Sequence, residues 1–102
     1  MRVLELVGEF DLSGVTSFEQ ELARDPSMDE NTLVLDLRGL TFIDSSGLRA
    51  VVMADHQARA EGKRCLLVRG SRRISRVFDL TGVGERLELV DDLPDAAPRL
   101  AH

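Results

Sequence analysis

Two neighbouring hydroxyls, Ser45 and Ser46, stand in the run Asp44-Ser45-Ser46-Gly47-Leu48, at the head of a long stretch of helix-compatible residues. Side chains at such a place lie beside backbone N–H groups that have no partner inside the helix. Capping accounts for one of these oxygens and leaves the second hydroxyl unexplained. A phosphoryl group added here would meet the positive end of the helix dipole and unpaired backbone donors, a favourable setting for a dianion. Capping and phosphorylation are therefore the chemistries that this run supports.

Nucleophilic catalysis fits poorly. The glycine that a nucleophile elbow places two residues before its serine is missing, because Ile43 precedes Ser45 and Asp44 precedes Ser46 at that spacing. His56 follows Ser45 by eleven residues on the same predicted helix, about 16 Å along its axis at 1.5 Å per residue. The other histidine, His102, is terminal, so no Ser-His-Asp set assembles and the chain reads as non-catalytic. No Cys/His cluster suits a metal, and none of the 8 glycines belongs to a phosphate loop with its lysine, so neither a metal nor a cofactor is expected. Lys63, the one lysine, lies too early in the chain for a receiver domain of two-component signalling.

The elements that must position these residues alternate in period. Residues 2–7 read as a strand ending at Gly8. Asp11-Leu12-Ser13-Gly14 supplies turn and cap residues, and Val15, Phe18, Leu22 and Ala23 then recur on one side of a helix that stops before Pro26. Residues 32–37 form a nearly continuous apolar run, as expected of a central strand covered on both faces. A linker over 38–43 leads to the longest helix, from Leu48 to about Glu61, which Gly62 ends. A third strand is predicted over 64–68 and a short helix capped by Ser71 and ended by Thr81-Gly82. A fourth strand follows around 87–90, then a tail over 91–102 that is a loose end or a short helix. Strands alternating with helices imply an α/β fold with right-handed crossovers.

Composition bounds the rest. With 102 residues the chain suits one domain, 1–102, and 43% hydrophobic with 30% charged residues is ordinary globular composition. The net charge of −5 disfavours a nucleic-acid partner, and no apolar run is long enough to span a membrane, so a soluble cytoplasmic protein is expected. Cys65 has no second thiol to pair with and sits in an apolar run, which reads as core. Arg69, Arg72, Arg73 and Arg76 form the one basic concentration, either a solvated helix face or a receiver for an acidic or phosphorylated surface.

Three segments together resemble the STAS family (sulfate transporter and anti-sigma factor antagonist). They are Gly8-Glu9-Phe10-Asp11; Leu33-Val34-Leu35-Asp36-Leu37 with Phe42-Ile43-Asp44-Ser45-Ser46-Gly47-Leu48; and Arg76-Val77-Phe78-Asp79-Leu80-Thr81-Gly82-Val83. The likeness is to the bacterial anti-sigma factor antagonists. It implies a single STAS-like domain with a mostly parallel, four-stranded mixed sheet flanked by about four helices, lacking the strand that family members commonly carry before the position of Met1. An exposed sheet edge there invites pairing, so a monomer or weak homodimer is expected.

The resemblance also implies a cycle. The unphosphorylated antagonist binds an anti-sigma factor that is a serine kinase and so releases a sigma factor. Phosphorylation of the serine after the aspartate, Ser45, switches binding off, and a metal-dependent serine phosphatase resets it. By the same likeness Asp11, Asp44, Ser46 and Gly47 belong to the contact surface. On the long helix Leu48, Val51, Val52 and Ala58 suit the buried face, which leaves Arg49, Ala50 and Met53 to the partner, with Asp55 near the apolar stripe. The alternative keeps the fold without the switch, as a scaffold or accessory subunit of a stress-signalling or transporter complex.

Overall fold

In the computed structural model, residues 1–24 and 31–93 are described. Their elements run β1 (Arg2–Phe10), α1 (Leu12–Ala23), β2 (Thr32–Ile43), α2 (Ser45–Ala60), β3 (Arg64–Val68), α3 (Arg72–Thr81), a 3-10 turn (Val83–Arg86) and β4 (Glu88–Val90). The strands lie side by side in chain order, β1-β2-β3-β4, and every pair is parallel. The sheet is thus parallel throughout where a mixed one was expected, because a helix or helical turn returns the chain between every two strands. Three α-helices and the 3-10 turn stand where about four helices were expected. The helix or loose end expected over 91–102 falls, from residue 94 on, outside the described residues.

Strand order without reversal, combined with right-handed crossovers, puts all the helices on one face of the sheet. The main core accordingly joins Phe18 of α1, Val51 and Ala54 of α2, and Ile74 and Phe78 of α3 to Leu35, Leu37 and Leu67 from one face of the strands. Residues one step out of phase, Val34, Leu66 and Val68, form a smaller cluster on the opposite face with Val3, Val90 and Leu93 against it. Cys65 is fully buried beneath the helices, and burial pushes its thiol up to about 12, so it is a neutral packing group.

The two strands leading to the serines are longer than predicted. β1 continues past Gly8, whose φ of +81° lies at a register shift in its pairing with β2. That glycine marks a bulge, and a bulge resembles a strand end in sequence. β2 likewise continues through the predicted linker to Ile43, although its last partner on β3 is Val68, opposite Asp36. From Leu37 onward β2 pairs with β1 alone, and Arg38, Gly39, Thr41 and Phe42 are exposed, which breaks the apolar run by which the strand was recognised.

Asp36 is buried at the root of this extension. Its carboxylate accepts from Arg38 three times: from the backbone N–H at 3.1 Å, from Nε at 3.0 Å and from Nη2 at 2.9 Å. Arg38 also reaches Asp92 at 3.2 Å. The Arg38 side-chain hydrogen bonds hold the Asp36 carboxyl below the usual carboxylate range, against the opposing effect of burial. A depressed folded value means that the pair stabilises the fold above the unfolded carboxylate value of about 3.9 and that this is lost as pH falls through the folded value. Asp36→Asn is therefore expected to cost about 1–2 kcal/mol near neutral pH, Arg38 being half exposed. Urea midpoints of both proteins at about pH 7 and about pH 2 check it, with the gap narrowing in acid.

Candidate functional site

Phe10 and Ile43 are register partners at the ends of β1 and β2, and both are buried. Each is followed by an aspartate that caps the next helix. Asp11 (φ −124°, ψ −171°) and Asp44 (φ −102°, ψ −175°) have nearly the same extended backbone. The Asp11 carboxylate accepts from the Ser13 N–H at 3.1 Å and from the Ser13 hydroxyl at 2.6 Å. The Ser13 hydroxyl is the main reason that the Asp11 carboxyl lies below its ordinary range. The Asp44 carboxylate accepts from the Gly47 N–H at 2.9 Å, the third residue of α2.

The two helix starts are bonded to each other. The Asp44 N–H donates to the Phe10 carbonyl at 3.2 Å. The same carbonyl lies 2.3 Å from where a Cβ on Gly47 would stand, so only glycine lets α2 approach this closely. Asp11, Asp44, Ser45, Ser46 and Gly47, the residues singled out from sequence, are thereby gathered on two adjoining loops at the carboxyl edge of the parallel sheet, where α/β folds place their sites.

Ser45 is exposed and opens α2; Ser46 is half-buried behind it. Asp44 directs its carboxylate to Gly47, and neither serine hydroxyl hydrogen-bonds to any described residue. This contrasts with α1, where the cap aspartate engages Ser13. The start of α2 thus presents an unengaged hydroxyl beside open helix N–H groups, with two carboxylates close by.

Along α2 the exposed stripe continues from Ser45 through Arg49 to Met53, each four residues apart. Ala50 is not on it. Sequence spacing offered Ala50 to a partner, but the residue is buried, because it faces α1 across a groove lined also by Phe18, Leu22, Met53 and Ala54. That groove encloses about 390 Å³. Asp55 is buried in the helix's apolar stripe and accepts from Arg59 Nε at 3.0 Å. Of the basic concentration, Arg69 pairs with Asp91 at 3.0 Å, while Arg72, Arg73 and Arg76 are exposed on α3.

His56 is exposed on α2, well down the helix from Ser45, and His102 lies outside the described residues. Among the described residues no group of three or more His, Cys, Asp or Glu is placed to hold a metal, and no helix is long and apolar enough to cross a membrane.

One correspondence escaped the sequence reading. Phe10-Asp11-Leu12-Ser13-Gly14-Val15 and Ile43-Asp44-Ser45-Ser46-Gly47-Leu48 share the pattern apolar-Asp-x-Ser-Gly-apolar, and the structure superposes their roles as strand end, cap and first helical turn. The signal was present as the repeated Asp-x-Ser-Gly. Leu12, 71% exposed, is the counterpart of Ser45.

The family model described as "Mlab, STAS domain" matches residues 2–91. A putative anti-sigma factor antagonist, BtrV of Bordetella bronchiseptica, is 30% identical over 82 residues, covering 80% of this chain and 71% of its own. A solved structure of the anti-sigma factor antagonist SpoIIAA in its unphosphorylated form aligns with a TM-score of 0.66 at 23% identity, over 89% of this chain and 79% of that one. The structure of a sulfate transporter family protein from Wolinella succinogenes aligns with a TM-score of 0.76 at 21% identity, over 90% of this chain and 77% of that one.

The close approach at Gly47 is directly testable. Gly47→Ala must push α2 off the Phe10 carbonyl, an overpacking cost of about 3 kcal/mol. In a domain of this size that lowers the melting temperature by roughly 10–20 °C. Gly62→Ala, whose Cβ would meet nothing within 4 Å, is expected to shift the melt less despite its positive φ.

Proposed function

The chain belongs to the STAS domain family, and from that premise we propose that it is an anti-sigma factor antagonist that works as a phosphorylation switch. In this reading the unphosphorylated form binds an anti-sigma factor that is also a serine kinase, so that a sigma factor is released. The kinase phosphorylates Ser45, binding is lost, and a metal-dependent serine phosphatase restores the first state. The protein performs no catalysis of its own, acts in the cytoplasm without touching nucleic acid, and comprises one domain over 1–102 as a monomer or weak homodimer. Support for the role comes from the curated relative named as an antagonist, and for a phosphorylated state from the SpoIIAA structure being one of an unphosphorylated form.

The observation that carries the reading is the unengaged, exposed Ser45 hydroxyl at the first position of α2. The fold alone does not choose between a switch and a scaffold, since the sulfate transporter family protein shares it. A scaffold has no need of a hydroxyl held clear of its own cap. Ser45 stands at a rigid place, because Asp44 is fixed at its N–H by Phe10 and at its carboxylate by Gly47.

Electrostatics supplies the switching. Phosphate adds about −1.5 to −2 charges to a surface on which Asp11 and Asp44 already stand. The helix N-terminus offsets part of that charge within the free protein. A partner docked over the helix start would have to desolvate the remainder, which costs several kcal/mol per unpaired ion. A phosphate can therefore be tolerated in the free protein and still break the complex. Asp11, Asp44, Ser46, Arg49 and Met53 complete the contact surface in this reading; buried Gly47 serves it by letting α2 approach the Phe10 carbonyl, and Ala50 contributes only by packing α2 on α1.

Incubation with ATP and kinase-type anti-sigma factors, read by intact mass, tests the proposal. One added phosphate on the wild-type chain and none on Ser45→Ala is the expected result. Equal phosphorylation of Ser45→Ala would move the acceptor elsewhere, and the absence of binding or modification by any such kinase would favour the scaffold role.

A further inference from the structure

The twin helix starts assign a role to a residue that the motif leaves aside. Ser45 and Leu12 occupy the same position, first in α2 and first in α1, behind capping aspartates on adjoining strands. Single exposed apolar side chains are ordinary on protein surfaces. Leu12 differs from the others in where it points. At about 100° per residue it projects within about 20° of both Glu19 and Ala23. Those two residues line the groove between α1 and α2 together with Met53 and Gln57. Leu12 therefore stands on the same flank of α1 as that groove, about two turns before Glu19 and outside the groove's lining. Met53, 54% exposed, borders the groove farther down, on the Ser45 stripe.

Nothing local calls for leucine there. The first helical position favours residues that suit the dipole or preset the backbone, and an apolar side chain does neither. The result is two exposed apolar groups, Leu12 and Met53, on neighbouring helices, with Ser45 and Arg49 alongside them. Such a surface, apolar anchors among polar groups on rigid elements, has the makeup of a protein contact.

We propose that Leu12 is an apolar recognition residue of the switch surface, seated in an apolar pocket of the kinase-type anti-sigma factor beside Ser45 and sharing that contact with Met53. The inference rests on the function proposed above. A different protein suits the surface better than a second copy of this chain. A twofold self-contact would bring Asp11 and Asp44 of each copy toward their equivalents, with Arg49 as the nearby cation on the stripe. The position also explains how a charge on Ser45 would reach the apolar contact. The dianion would sit beside the Leu12 pocket and hold water in an interface that has to be dry.

Calorimetric titration with a purified kinase-type anti-sigma factor that binds the wild-type chain tests this. Leu12→Ser is expected to weaken binding by about tenfold or more, with the melting temperature unchanged because the side chain is mostly exposed. Leu12→Met should bind nearly as well as wild type. Leu80→Ser, which removes an equally exposed leucine from α3, should bind as wild type. The proposal is overturned if Leu12→Ser binds within about twofold of wild type, or if Leu12→Ser and Leu80→Ser weaken binding alike. It is also overturned if sedimentation shows self-association of the wild-type chain that Leu12→Ser abolishes, which would make a second copy the occupant. If no kinase of this class binds the wild-type chain, the proposed function itself fails, a result distinct from wild-type binding that Leu12→Ser leaves intact.

Discussion

The carbonyl of Phe10 governs the placement of the candidate site. It accepts from the Asp44 N–H at 3.2 Å and leaves no space for a side chain at position 47. One backbone oxygen thus sets the distance between β1 and the start of α2 and demands glycine there. It also fixes the aspartate that precedes the serines. The burial of Phe10 and Ile43 on either side holds that oxygen in place, since neither strand end can move without exposing a large apolar side chain. The hydroxyl of Ser45 is consequently held on a rigid element, as a recognition site requires.

Topology does the rest. Because the strands follow one another in order, all the helices fall on one face, and the helices after β1 and β2 begin beside each other at the carboxyl edge. Two cap aspartates and two exposed first-turn residues are then placed at one edge of the sheet without any long loop. In α2 the polar and apolar demands are divided by angle: Ser45, Arg49 and Met53 face outward, while Val51, Ala54 and Ala58 pack inward. Ala50 lies between the two sets, and the neighbouring helix α1 decides its fate.

Much of this was legible in the residues themselves. The alternation of apolar runs gave the order of strands and helices, and Ser71 and Gly82 bracket α3 as a cap and a left-handed terminus should. Asp44-Ser45-Ser46-Gly47 announced a helix start with spare hydroxyls. What stayed hidden depends on partners in space. The extension of β2 to Ile43 was masked because Arg38, Gly39, Thr41 and Phe42 lose the apolar pattern where β3 ends. Ala50 was misassigned because periodicity on one helix does not say where the next helix lies. The parallel direction of every strand, and the meeting of Asp11 with Asp44, likewise belong to tertiary structure.

The overhang of β2 beyond β3 bears on local stability. From Leu37 to Ile43 the strand is bonded to β1 on one side only, whereas Thr32 to Asp36 lie between two neighbours. Backbone hydrogen bonds on a two-stranded projection open at less free energy than those in the middle of a sheet. In this molecule that weakness is offset by packing, because Leu37, Leu40 and Ile43 of the overhang are buried in the main core under the helices. The Ser45 helix start is thus held by the Phe10 carbonyl and by core packing, where a second flanking strand is missing.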